Sequence, residues 1–296
     1  MTSKFKVKSS VENLWNATPV GGFGITKVCA KRVEFESPVD CSKIPAVYAC
    51  PTNAQCTTAV IVITGGNIVW GMHEDTIREY LQLFAQNGTA AICMEMKHIG
   101  ERSVIKDDHL FKMLFHPEHV FAYKEWFDST LKEFHALIDI LQSQGYKNIE
   151  VLGLCWGAHI ATALASESPH VSKLVGVVPN LLPQNPYLYT FEAYAVQCKC
   201  ETVFIVSKGD AIVTDEVTLQ ICESFMNHPT VHWENVNGLH MIKPHTIFDK
   251  IHERSSFKFD ASSESALTST LCEFWSLILG SNVSPKSNVF ALGANS

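Results

Sequence analysis

From residue 46 onward, hydrophobic positions gather into short, nearly unbroken runs, separated by longer stretches in which apolar residues recur at helical spacing. The runs predict strands at AVYAC (46–50), AVIVI (59–63), AAICME (90–95), IEVLGL (149–154), KLVGVV (173–178), TVFIVS (202–207) and TVHWENV (230–236). AVIVI and TVFIVS are apolar almost throughout, as parallel strands buried on both faces require. The intervening stretches predict helices over 75–86, 118–144, 156–166, 215–226 and 265–279. Asp75 offers a cap for the first, and Asn87-Gly88 and Gly145 close the first and second. Such alternation predicts an α/β fold: a mostly parallel central sheet with helices on both faces. It continues unbroken, so the expected organisation is one domain over 26–280, an irregular segment over 1–25 and a tail over 281–296. The charged and aromatic connection 97–117 follows a strand end and belongs to a site rim or a surface excursion. GGFG (21–24) has neither a preceding strand nor a following lysine and reads as a turn, not a phosphate loop.

Composition narrows the functional classes. With 46% hydrophobic and 18% charged residues, the 296-residue chain has ample material for a large core and does not resemble a disordered protein. A net charge of -7 and the absence of a basic stripe argue against nucleic acid or a membrane surface as partner. MTSKFKVKSS is not followed by an apolar core, and no apolar run approaches a membrane span, so the expected location is the reducing cytoplasm. There the ten cysteines are expected to be mostly buried thiols, Cys29 and Cys93 among them, and the sequons at Asn16, Asn87 and Asn282 stay unused. Cys198-Lys199-Cys200, His245 and His252 match no metal-ligand spacing, and no metal is expected.

One cysteine has unusual neighbours. In VLGLCWGAHIATAL, Cys155 sits between Gly153 and Gly157 where an apolar strand meets a helix. This is the pattern of a nucleophile elbow, in which side chains two positions before and after the apex would strike neighbouring backbone. The helix N-terminus also favours thiolate over thiol. Downstream, Asp210 follows the strand TVFIVS and His240 follows the strand TVHWENV. Parallel strands deliver the loops at their C-terminal ends to one sheet edge, so Cys155, Asp210 and His240 are expected to converge as nucleophile, acid and base, in the chain order of an α/β-hydrolase.

On these residues the chain resembles the dienelactone hydrolases (carboxymethylenebutenolidases) of the α/β-hydrolase fold. That family's G-x-C-x-G motif reads here Gly153-Leu154-Cys155-Trp156-Gly157, its acid segment Gly209-Asp210-Ala211-Ile212-Val213-Thr214 without the usual proline, and its histidine segment Gly238-Leu239-His240. The separations of 55 residues from Cys155 to Asp210 and 30 from Asp210 to His240 are also similar to the family's. The resemblance extends as a pattern from about residue 27 to about 279. It implies hydrolysis of a small ester or lactone through a thioester acyl-enzyme. The oxyanion would be held by the N–H of Trp156 and that of Asn67 or Ile68, and no cofactor is implied.

The departures concern substrate and thiol activation. Where the family has an acidic residue after the strand, AVIVITGGNIVWG carries Gly66 or Asn67, so a standing Cys155–His240 ion pair is the natural substitute for substrate-triggered activation. The family's carboxylate-clamping arginines are replaced by Ile99 and, past His240, by Lys243. Arg102 and Lys243 are the cations available for substrate binding, and Trp70 and His73 the candidate pocket walls. The same triad also fits an acyl-CoA thioesterase or acyltransferase, and a non-catalytic ligand-binding protein could retain the fold. The motifs leave monomer and homodimer open.

Overall fold

In the computed structural model the residues described are 28–52, 56–65, 75–102, 120–179, 191–208, 231–237 and 242–252, with positions 210, 213, 218, 221, 223–225, 257–258, 272 and 284. The apolar runs form the middle of one sheet. Its strands are β1 (Val28–Glu36), β2 (Lys43–Pro51), β3 (Thr58–Ile63), β4 (Ala90–Met94), β5 (Asn148–Leu154), β6 (Val171–Val177), β7 (Glu201–Lys208), β8 (Val231–Asn237) and β9 (Phe257–Lys258). Among the described residues the order across the sheet is β1-β2-β4-β3-β5-β6-β7-β8-β9. The six strands from β4 to β8 in that order run parallel. β1, β2 and β9 are the antiparallel margins.

The helices are α1 (Asp75–Gln86), α2 (Val120–Ser143), α3 (Gly157–Glu167), α4 (Phe191–Gln197) and α5 (Pro244–His252). Strand β3 shows why both faces need covering. Ala59, Ile61 and Ile63 belong to a core with residues of α2, α3 and α4, whereas Val60 and Val62 belong to a second core with residues of α1 and α5. Side chains alternate along a strand, so a run with no polar position has two dry faces. The expected α/β-hydrolase arrangement of a mostly parallel sheet between two helical layers is therefore present.

Several elements differ from expectation. β1 and β9 were not predicted, β2 runs from 43 to 51 rather than 46 to 50, and α4 and α5 were not predicted. The predicted helices over 215–226 and 265–279, the turn at 21–24 and the connection beyond Arg102 lie wholly or mainly outside the described residues. The expectation of buried cysteines needs correction at the antiparallel margin. Cys93 is fully buried in β4, but Cys29, Cys50 and Cys56 are half-buried and Cys41 is exposed. Cys29, Cys41 and Cys50 lie on β1, β2 and the turn between them at the edge of the sheet, and Cys56 lies just before β3. No helix among the described residues is long and apolar enough to cross a membrane.

Candidate active site

The parallel strands end together. Ile63 of β3 is in register with Gly153 of β5, Leu154 with Val177 of β6, and Lys208 of β7 with Asn237 of β8. Residues just past these positions share one edge of the sheet. They include Thr64 and Gly65 after β3, Cys155 after β5 and Asp210 after β7.

Cys155 occupies the turn between β5 and α3 with φ +51, a left-handed conformation that non-glycine residues seldom adopt. Such backbone costs about 1–3 kcal/mol and persists only where surrounding structure imposes it. Here the Cys155 N–H donates to the Val177 carbonyl at 2.8 Å, continuing the β5–β6 ladder, while the chain turns at once into α3. Val178, the next residue beyond β6, is also left-handed at φ +45, and its N–H donates to Ile205 O at 2.7 Å. Two strained residues thus lie side by side at this edge.

The flanking glycines make the turn possible. A Cβ at Gly153 would lie 2.4 Å from the Gly157 carbonyl oxygen and 2.5 Å from Ala158 Cα; one at Gly157 would lie 2.4 Å from Thr64 O and 2.5 Å from Ile63 O. All four obstacles are backbone or backbone-fixed atoms. Gly157→Ala is accordingly expected to force α3 away from β3 and to cost about 3 kcal/mol, measured by chemical denaturation. A loss under about 0.5 kcal/mol would show that this contact is not tight.

Trp156 has helical backbone, φ -63 and ψ -32, and precedes α3 without a side-chain cap. No acceptor among the described residues takes its N–H. Its indole is buried, stacked on Trp126 of α2 with ring centroids 4.8 Å apart at 17°, and its Nε1–H donates to the Tyr123 hydroxyl at 3.3 Å. Asp210 is buried, and its carboxylate accepts the Val213 N–H at 3.1 Å.

The other predicted site residues fare differently. His240, Asn67, Ile68, Trp70 and His73 lie outside the described residues. Lys243 is exposed just before α5. Arg102 is neither a pocket cation nor a surface residue. Its guanidinium donates to both oxygens of buried Glu133 on α2, at 2.6 and 2.8 Å, and also to Glu95 O and Ser42 Oγ. This pairing commits the charge to the protein itself. His159 is buried on α3 against Phe127 and Tyr194.

The family model for dienelactone hydrolases matches residues 44–233, which is 190 of the 296 residues and includes Cys155 and Asp210. The chain belongs to the dienelactone hydrolase family. By family it is a carboxylic ester hydrolase. Solved structures agree on the fold of this dienelactone hydrolase family member. A Klebsiella pneumoniae protein assigned as a dienelactone hydrolase is 16% identical, with 85% of this chain and 98% of that chain covered and a TM-score of 0.58. Acetyl xylan esterase 1 from Thermoanaerobacterium is 15% identical over 82% of this chain and 84% of that one, with a TM-score of 0.59. A cold-adapted esterase from an Arctic intertidal metagenomic library is 15% identical over 76% and 91%, with a TM-score of 0.57. No curated protein sequence matches the chain.

Proposed function

We propose that this chain hydrolyses a small activated ester or strained lactone with Cys155 as nucleophile, His240 as general base and acid, and Asp210 as the group that orients the imidazole. The observation that carries the reading is the left-handed Cys155 at the β5–α3 junction, at the same sheet edge as the buried Asp210. His240 follows the end of β8 by three residues, which in sequence is the matching position on the adjacent strand.

In the reading, the Cys155 thiolate adds to the substrate carbonyl, and the resulting oxyanion is held by the Trp156 N–H and by that of Asn67 or Ile68. Collapse expels the alkoxide, which takes a proton from His240, and leaves a thioester on Cys155. Water, deprotonated by His240, then cleaves the thioester and regenerates the thiolate. A thiolate is a poor match for amide leaving groups, so esters with good leaving groups and strained rings are the expected substrates. No step calls for a cofactor.

Rapid quenching of the enzyme with para-nitrophenyl butyrate tests the covalent step. One butyryl group is expected on the peptide that contains Cys155, appearing no more slowly than steady-state turnover. Turnover with no acyl group on Cys155, or with the group on another residue, would overturn the assignment.

A further inference from the structure

The clamp around the Trp156 indole extends the oxyanion reading and rests on it. The N–H expected to meet the oxyanion belongs to a residue whose own side chain points into the core and is 3% exposed. A small residue at this position would leave the peptide held only by the turn. Trp156 instead ties it to two other parts of the fold. Tyr123 and Trp126 are three residues apart on α2, so they share one face of that helix. Tyr123, fully buried, accepts the Trp156 indole N–H, and Trp126 stacks against the indole face. Trp126 is fixed in turn by its own indole N–H, which donates to the Lys97 carbonyl at 2.7 Å in the segment after β4. Tyr123 and Trp126 also pack on each other, with centroids 5.7 Å apart.

We propose that Tyr123 and Trp126 are positioning residues for the oxyanion hole, holding the Trp156 side chain so that its backbone N–H keeps a fixed direction at the sheet edge. Trp156 has helical φ and ψ, so rotation of its side-chain base and tilt of its peptide plane are coupled through Cα. A displacement of an ångström would take a hydrogen-bond donor out of range of the oxyanion. The hydrogen bonds of Tyr123 and Trp126 go to the Trp156 indole and the Lys97 carbonyl, not to the Cys155 thiol. The clamp therefore acts on transition-state stabilisation and leaves the nucleophile as it is. Burial pushes the Tyr123 hydroxyl well above the usual tyrosine range, so it stays protonated and can serve as a neutral acceptor for the indole.

The test compares Tyr123→Phe and Trp126→Leu with wild type on three readouts. These are kcat and KM for para-nitrophenyl butyrate, inhibition by butyraldehyde, and the rate of Cys155 alkylation by iodoacetamide. Butyraldehyde forms a hemithioacetal whose oxygen occupies the oxyanion position, whereas alkylation reports on the thiol. Each variant is expected to lower kcat and weaken butyraldehyde inhibition about tenfold, a partial loss of what one donor supplies. KM and the alkylation rate should stay within about twofold of wild type. Wild-type kcat and inhibition in both variants would overturn the proposal, and so would a parallel fall in alkylation, which would mean the thiol itself had moved. If Trp126→Leu does not fold, Tyr123→Phe, which removes a single oxygen, decides. Cys155→Ala run alongside separates the two readings. If it turns over like wild type, the triad assignment fails; if it is inactive while both clamp variants behave as wild type, only the clamp fails.

Discussion

Replacing Cys155 with alanine is expected to lower kcat/KM for para-nitrophenyl butyrate by about ten-thousand-fold, with little change in thermal stability. The size follows from what the substitution removes. The thioester route disappears, and only binding and the oxyanion donors remain to assist attack by water, a residue of catalysis that serine-type enzymes also retain when their nucleophile is lost. The fold should tolerate the change because the strain at φ +51 arises from a Cβ in the left-handed region, and alanine and cysteine both have one. Cys155 is only half-buried, so little packing is lost with the sulfur. Serine at the same position is expected to retain more activity than alanine, since it keeps a nucleophile at the same apex with a weaker, more basic atom. An alanine variant that keeps more than about one per cent of wild-type kcat/KM, beyond what contaminating wild-type protein accounts for, would remove Cys155 from the mechanism.

That experiment bears on a residue the sequence makes conspicuous, and the reason is local. Gly153, Cys155 and Gly157 fall within five consecutive positions, and the clashes that require glycine come from Ala158, the Gly157 carbonyl and the end of β3. The central strands are equally legible because burial on both faces leaves β3 no polar position after Thr58. β1 is not legible. It buries Val33 and Phe35, but Lys31, Arg32, Glu34 and Glu36 intervene and Ala30 is out of phase with the other two, so neither a strand nor a helix period stands out. α4 is seven residues long and α5 nine, too short for an amphipathic stripe to declare itself. The partners of site residues are the least visible. Trp126 looks like one more apolar position in a long helix until folding stacks it on Trp156, 30 residues later. Arg102 reads as a candidate substrate cation only because its partner lies 31 residues away in sequence.

Removing that partner should produce the largest loss of stability. Glu133→Ala is expected to lower the unfolding free energy by about 3–5 kcal/mol, a substantial part of the about 5–15 kcal/mol typical of a native protein. Glu133 is 1% exposed and the Arg102 side chain 7%, so the alanine variant would leave a buried guanidinium with no carboxylate. The Glu95 carbonyl and Ser42 hydroxyl that Arg102 also contacts are neutral and cannot replace the charge. Ser37, whose hydroxyl donates to Glu133 at 2.6 Å, would lose its acceptor as well. The double variant Arg102→Met, Glu133→Leu separates the pair's own contribution from the penalty of orphaning one member. Two apolar side chains of similar volume avoid desolvating any charge, and most of the lost stability should return. Denaturant unfolding of Arg102→Met, Glu133→Leu and the double variant measures the pair's coupling in one cycle, and Glu133→Ala beside them gives the penalty of orphaning the guanidinium. A double variant as unstable as Glu133→Ala would mean that the site depends on the specific hydrogen bonds to Ser37, Ser42 and Glu95 rather than on charge neutralisation. The pair fastens the segment after β4 to α2, and the same segment supplies the Lys97 carbonyl that fixes Trp126. Any loosening at Glu133 should therefore reach the Trp156 clamp, and Glu133→Ala is expected to lower kcat under conditions where the variant is fully folded.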